Sequence, residues 1–301
     1  MTNYTYEHNF WNMMRGKSAD LPVLSSKADS SGAYMAPEEF EVKFDQALAK
    51  DNVFRRLATV VNTTSPEGTI QAVTSTGTAD WVGEGAVIPE SSDTILPFPV
   101  YSYKLASLVR LKNSFVSDNA FDLENYLVTA FARRFGRAEE AAFLNGTGTN
   151  QPTGLLSASG AEVGVTAASA TAIAYDELTK LYFSLKSEHR ANAVFLMHDD
   201  TAMALRTLKD SVGNPLWNAE RDTIFGKPVV TSLAMPAPAT GKKAIAFGDL
   251  SYYWVIERQP LTIKRLNEMY AVQGQIGFTS FECLDGKMIL PEAVKVLQMA
   301  Q

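Results

Sequence analysis

The stretch with the strongest claim to chemistry is FLNGTGTNQPTGLL, Phe143 to Leu156. Gly146, Gly148 and Gly154 stand among small polar residues, the composition of a loop whose backbone amides close on a phosphate. The particulars do not fit. A nucleotide loop needs G-x-x-x-x-G-K-[ST] between a strand and the helix it opens. No lysine follows Gly154, and the stretch comes after a helix-like segment. The nearest helix end therefore offers carbonyls and the negative end of its dipole, the wrong sign for phosphate. The dinucleotide fingerprint fails for the same reason.

The other candidates are weaker. His198-Asp199-Asp200 holds metal-type ligands, but adjacent side chains seldom point at one ion, and an Asp just before a helix is more simply a cap. Glu188-His189 reads as a surface helix end. Cys283 is the one cysteine. It has no recognisable histidine partner and reads as a small buried apolar residue. No G-x-S-x-G, H-E-x-x-H or paired-cysteine motif is present. No catalytic residue, metal or cofactor is expected.

The elements that would position such residues tell more. The segment DLENYLVTAFARRFGRAEEAAFLNG is the strongest helix signal. Leu123, Leu127, Phe131, Phe135, Ala138 and Ala142 recur at spacings of three and four. Asp122 or Asp118 is placed to cap it, and Asn145-Gly146 to stop it through a left-handed C-terminal residue. Such a helix is about 35 Å long. Arg133, Arg134 and Arg137 lie on it as a polar face, with Glu139 and Glu140 near.

Upstream, residues 1–36 lack a sustained period and read as an extended arm with a short amphipathic piece at Phe10–Met14. An arm without its own core should dock on something, another subunit included. Residues 37–57 read as helix or mixed structure and 58–62 as strand. Residues 65–103 carry no Lys or Arg, yet hold Glu67, Asp80, Glu84, Glu90 and Asp93. Patches such as TIQAV alternate with period two, so the segment reads as a long β-hairpin with a ragged tip. It has too few apolar residues to bury itself and either lies on a partner or is a mobile surface loop. Lys104 to Asp118 returns as strand.

Downstream of a small-residue stretch at 157–172, helices and strands alternate over 173–265: helix at DELTKLYFSLKSEH, strand at NAVFLM, helix at HDDTAMALRTLKD capped by Asp199 or Asp200, a turn at DSVGNPLW, then strands at KPVVTS, KAIAFGD and YYWVIER. In the tail, Asp285-Gly286 between alternating apolar residues predicts a tight hairpin turn, and EAVKVLQM one more strand.

Bulk numbers set limits. The chain has 301 residues, 46% of them hydrophobic, and a formal net charge of −6. At about 100–200 residues per domain, two domains are expected. An acidic chain without a basic run is poorly suited to phosphate-driven nucleic-acid binding. The lone cysteine fits a reducing compartment. No apolar run has the length of a signal peptide or a membrane span, and the chain reads as cytoplasmic and soluble.

RAEEAAFLNGTGTNQPTGLL closely resembles the signature of tailed-bacteriophage major capsid proteins of the Hong Kong 97 type. Other pieces follow in the same order: GAYMAPEEF at the entry from arm into body, ADWVGEGAVIPESSDTILPFPVYSYKLASLVRLKNSFVSD as the extended loop and following strand, LKDSVGNPLW and IFGKPVVTS in the axial domain, and DGKMILPEAVKVL as closing strands. The likeness covers about residues 10–300.

The resemblance implies an α+β fold with a defined layout. An N-terminal arm (1–36) leads into the start of a peripheral domain (37–62) and an extended loop (63–104). The peripheral domain resumes over 105–172 with a spine helix at 118–145. An axial α/β domain (173–272) and returning peripheral strands (273–301) complete it. It also implies a structural function: pentamers and hexamers of one chain forming an icosahedral shell around double-stranded DNA, without tight specific binding to it. Scaffolding, portal and cement proteins are the implied partners, no membrane is involved, and assembly takes place in the host cytoplasm.

Assembly residues are expected on the loop (Trp81, Glu84, Glu90, Asp93) and on the spine helix (Arg133, Arg134, Arg137). Asn145, Gly146, Gly148, Gln151, Pro152 and Gly154 are expected to form a structural turn from peripheral to axial domain. A ring-closing contact needs two different complementary patches on one subunit, and the acidic loop and the arginines supply them. Some members weld subunits by a bond between a loop lysine and an asparagine. The loop here has no lysine between Ser65 and Tyr103, and no such cross-link is expected. Many members also carry a cleaved N-terminal scaffolding region. Met1 stands near where a mature arm would begin, so either scaffolding is a separate protein or this chain is the mature form. Two rivals remain: an encapsulin-type nanocompartment shell of the same fold, and a soluble enzyme with a catalytic domain at 173–265.

Overall fold

Tyr6, Phe10 and Met14 recur every four residues, which places them on one face of a helix. In the computed structural model they are the buried side of α1 (Asn3–Arg15). The structure describes residues 3–28, 34–63, 68–75, 77–118, 120–209, 213, 215, 217–218 and 221–301. The small polar run at 29–33, Glu67 at the hairpin base and most of the turn expected at 210–217 lie outside them.

The arm is helical and docked on its own subunit, a correction to the extended reading. The apolar stripe begins at Tyr6, one turn earlier than the Phe10–Met14 piece suggested. α2 (Leu21–Ser25) adds Val23 and Leu24, and β1 (Tyr34–Met35) follows. All pack with Phe40, Phe44 and Leu48 of α3 (Glu38–Asp51) in one core. Arg15 fixes the end of α1 by donating to the carbonyls of Asp118 (3.0 Å) and Phe121 (2.9 Å).

After a 3-10 turn at Phe54–Arg56 and β2 (Thr59–Asn62) come β3 (Gly68–Ser75) and β4 (Thr94–Val100). They pair antiparallel, from Gly68↔Val100 to Ser75↔Thr94, as a two-stranded ribbon outside the other sheets. Pro97 and Pro99 lie in β4. A ribbon strand has a free edge that tolerates residues without an N–H. β5 (Tyr103–Lys112) then ends in the short α4 (Asn113–Ser117), where strand was expected to continue.

The long helix α5 spans Leu123–Asn145, with Asp122 Oδ1 accepting from the Asn125 amide at 3.1 Å, so Asp122 rather than Asp118 is the cap. Leu123, Leu127, Phe131 and Phe135 are buried as expected, but Ala138 is exposed. The buried face instead continues through Glu139, Glu140, Phe143 and Leu144. The two glutamates are therefore not part of a solvated face.

β6 (Glu162–Thr166), α6 (Tyr175–Ser184), α7 (Ser187–Arg190), β7 (Val194–Met197) and α8 (Asp199–Arg206) follow. Then come β8 (Trp217–Asn218), β9 (Thr223–Ile224), β10 (Lys227–Thr231), β11 (Lys243–Gly248), β12 (Tyr253–Leu266), β13 (Gln275–Met288) and β14 (Val294–Gln298). The cap of α8 is His198, whose Nδ1 accepts from the Asp200 amide at 3.1 Å. Asp199 and Asp200 are its first helical residues instead.

One sheet runs β1-β12-β13-β5, with β2 beside β12. The other runs β6-β14-β11-β7-β10-β9-β8. This partition corrects the sequence reading in two places. β12 pairs with β13 along Tyr253↔Met288 to Leu266↔Gly277, so it belongs with the arm and α5 rather than with the α/β module. β14 lies between β6 and β11, so the last strand closes the module rather than the first body. A third core joins the two sheets: Phe54, Phe143 and Tyr253 pack together with Leu196, Ala246 and Val296.

The tight turn expected at Asp285-Gly286 is absent; β13 passes straight through both residues. Asp285 is buried and accepts from the amides of Tyr101 (2.9 Å) and Gly286 (2.8 Å). A Cβ on Gly286 would meet the Tyr253 hydroxyl and the Phe143 ring. The pair thus marks close packing of rings over a strand. The chain reverses instead between β12 and β13, where Gly274 has φ +62.

Candidate assembly surfaces

The glycines after α5 serve close backbone packing. Gly146 ends the helix in an extended conformation (φ −62, ψ 147), not the left-handed one expected. A Cβ there would collide with the carbonyls of Ala142 and Pro152. Gly154 comes back against the helix end, its amide donating to Gly146 O at 2.9 Å, and a Cβ on it would lie 2.6 Å from Leu144 O. Gly148 has φ +77 and Asn150 φ 58, which makes the turn. Gln151 Nε2 donates to Thr147 Oγ1 at 3.2 Å, and Asn145 Nδ2 to Ala234 O at 2.7 Å. Amides of Leu155 and Leu156 donate to Phe143 O (2.7 Å) and Leu144 O (2.9 Å). The amide of Thr153 donates to Gly286 O at 3.0 Å, and its carbonyl accepts from Tyr253 Oη at 2.8 Å. Backbone groups that a phosphate would need are thereby turned inward and used.

The ribbon tip contrasts with this corner. From 77 to 93 the chain has no regular structure, and every residue from 77 to 97 is exposed. Trp81 is 106% exposed, Val87 91% and Ile88 76%. Glu84 and Glu90 are exposed among them. Asp93 also works within the loop, accepting from the Gly77 amide at 2.8 Å, while Ser91 Oγ accepts from Thr78 N at 2.8 Å. Large apolar side chains in water cost burial energy that a contact would recover, on the order of 25 cal/mol per Å².

Arg133, Arg134 and Arg137 are exposed on α5. Arg134 is held within the chain, donating to Leu108 O at 2.5 Å and Ser107 Oγ at 3.4 Å. Arg133 and Arg137, one turn apart, share a face. Among the described residues no ion pair joins the hairpin acids to these arginines.

A charged cluster under α5 escaped sequence reading. Glu139 is buried and accepts from Asn52 Nδ2 (3.0 Å) and Arg55 Nη1 (3.2 and 3.3 Å). Arg55 also pairs with Glu257. Beside them is a cavity of about 360 Å³ lined by Glu41, Asp45, Arg258, Glu282 and half-buried Cys283, a residue expected to be buried. Burial, and then the charge of Glu139, hold the Glu282 carboxyl well above its ordinary range. Burial, reinforced by Asp45, pushes Glu41 up to about 7. Spacing could not reveal these partners, since they come from α3, α5, β12 and β13.

The Phage capsid family model matches residues 32–299. The chain belongs to the phage capsid family. The capsid of a native GTA particle computed with C5 symmetry is 29% identical, with a TM-score of 0.69 over 82% of this chain and 90% of that one. The capsid of an empty GTA particle is 30% identical, with a TM-score of 0.71 over 82% and 89%. A structure from Gordonia phage Cozz shares the fold at 13% identity, TM-score 0.62, over 83% and 87%. Comparison with curated proteins gives no match.

This capsid protein is thus a major capsid protein that builds a shell, with the Hong Kong 97-type arrangement of helices and sheets. Among the described residues no helix is long and apolar enough to cross a membrane. In a capsid protein the glycine-rich stretch is a structural corner at the end of the long helix.

Proposed function

We propose that this capsid protein closes rings of five and six copies into an icosahedral shell around double-stranded DNA, assembled in the host cytoplasm, and that it carries no enzymatic activity. The division into arm, extended loop (63–104), peripheral and axial parts belongs to the same proposal. The observation that carries it is the ribbon tip. It places Trp81, Val87 and Ile88 in water with Glu84 and Glu90, and no described part of its own chain covers them.

The complementary patch is the free Arg133 and Arg137 face of α5 on a neighbouring copy. Two unlike patches on one subunit give a heterologous contact, which forms rings when the rotation closes. The contact is non-covalent. Lys104 at the hairpin base sits over the Phe281 ring at 3.7 Å, engaged within its own chain. Scaffolding, portal and cement proteins would complete the particle.

A charge swap tests the pairing. Glu84→Lys with Glu90→Lys should lower particle yield strongly while the unassembled chain stays folded. Adding Arg133→Glu and Arg137→Glu should restore part of the yield. Unchanged yield in the first variant would sink the pairing. Double-stranded DNA inside particles from infected cells is expected; an enclosed protein cargo would point to a nanocompartment instead.

A further inference from the structure

His189 was expected at a surface helix end, yet its side chain is only 7% exposed. It lies at the end of α7 with its ring edge-on to Tyr252 at 5.4 Å. Its Nε2 has no hydrogen-bond partner. A buried polar atom without a partner costs free energy comparable to a lost hydrogen bond, so this one calls for an explanation.

What Nε2 faces supplies one. Glu188 Oε1 lies 3.6 Å away, too far for a hydrogen bond. Glu292, in the 3-10 turn before β14, completes the group: the ligand atoms of Glu188, His189 and Glu292 all lie within 4.8 Å of one another. Zinc binds imidazole and carboxylate at about 2.0–2.2 Å, so two ligands of one tetrahedral ion stand about 3.4 Å apart. The 3.6 Å gap is close to that spacing, and the other separations, within 4.8 Å, would close on the ion by side-chain rotation.

We propose that Glu188, His189 and Glu292 form a zinc-type divalent cation site that clamps α7 to the turn leading into β14. One imidazole and two carboxylates suit a borderline metal such as zinc. Magnesium and calcium prefer oxygen alone. Water fills the remaining position. The clamp joins residues about a hundred positions apart, on the helix before β7 and on the turn before β14, two strands that flank β11 in the seven-stranded sheet. It competes with internal cations: Lys186 Nζ holds Glu292 Oε2 at 2.6 Å, and the charge of Lys295 also acts on that carboxylate. An arriving metal must share or displace the Lys186 ammonium.

The competition makes the test specific. Zinc chloride is titrated calorimetrically into the full chain at mildly alkaline pH, with thermal unfolding followed in parallel and magnesium chloride as comparison. Saturable binding of one zinc ion per chain is expected, with a raised melting temperature, since a ligand of the folded state alone stabilises it. Magnesium should have no effect. Glu188→Gln, at an exposed side chain, should weaken binding about tenfold. Lys186→Ala should tighten it, an outcome that adventitious binding at His8 or His198 would not produce. His189→Ala should abolish binding, and because that residue is buried the two exposed variants decide the test. Absence of saturable binding, unchanged affinity in Glu188→Gln, or no gain in Lys186→Ala would each overturn the site.

Discussion

Gly146 and Gly154 show how a single residue type can carry two opposite meanings. In the sequence they resemble an anion cradle. In the structure each stands where a Cβ would enter the backbone of the returning chain. Gly146→Ala should therefore destabilise the unassembled chain by about 2 kcal/mol, as overpacking does, read by denaturant unfolding. Gly83→Ala, where nothing lies within 4 Å of the added atom, is the matched control and should change little.

Glu41 makes a second prediction at this scale. Its carboxyl is raised from 4.5 to about 7 in the folded chain, chiefly by burial and next by Asp45. The folded state thus holds that proton more tightly than the unfolded one. The associated stability is fully present below about pH 4.5 and is lost as pH rises through 7. Glu282 is shifted in the same direction. Thermal unfolding at about pH 5 and about pH 8, on either side of that shifted value, should show the wild-type chain losing stability at the higher pH, and Glu41→Gln losing less. An identical pH profile in the variant would refute this.

Among the elements, α1 is the one whose position decides most. An arm extended across a neighbour would leave the isolated subunit indifferent to its apolar residues. Phe10 is instead fully buried, against Trp11 at 5.1 Å and within the core of α3 and α5. Phe10→Ala should cost about 3–5 kcal/mol in the unassembled chain. A loss below about 1 kcal/mol by chemical denaturation, the scale of an ordinary surface change, would place the arm elsewhere.

The long helix and the hairpin were legible because their signals are local. The leucine and phenylalanine spacing of α5 and the alternation of TIQAV each depend on a few neighbouring residues. The burial of Glu139 was not legible, because Asn52 and Arg55, which satisfy it, arrive from the end of α3 and the turn beyond. Asp285-Gly286 misled for a related reason: a tight turn and a ring-covered strand both ask for a small residue there. The placement of β14 between β6 and β11 is a matter of long-range pairing, which no periodicity encodes, and β12 follows its chain neighbour β13 into the other sheet. Among site residues, Trp81, Glu84 and Glu90 were found exposed, and Arg134 was found engaged within its own chain.

At the scale of the whole molecule, a net charge of −6 and an exposed acidic ribbon fit the proposed contact between copies of this chain. Single exposed ion pairs contribute about 0–1 kcal/mol. In the contact proposed above, the apolar tip and repetition over many copies would therefore supply most of the binding, with the charges setting register. Electron microscopy of the purified chain, concentrated at physiological salt, is the most direct test. Closed shells, rings or curved sheets are expected. A chain that stays a well-behaved monomer or dimer at high concentration would contradict assembly through the ribbon and the helix face.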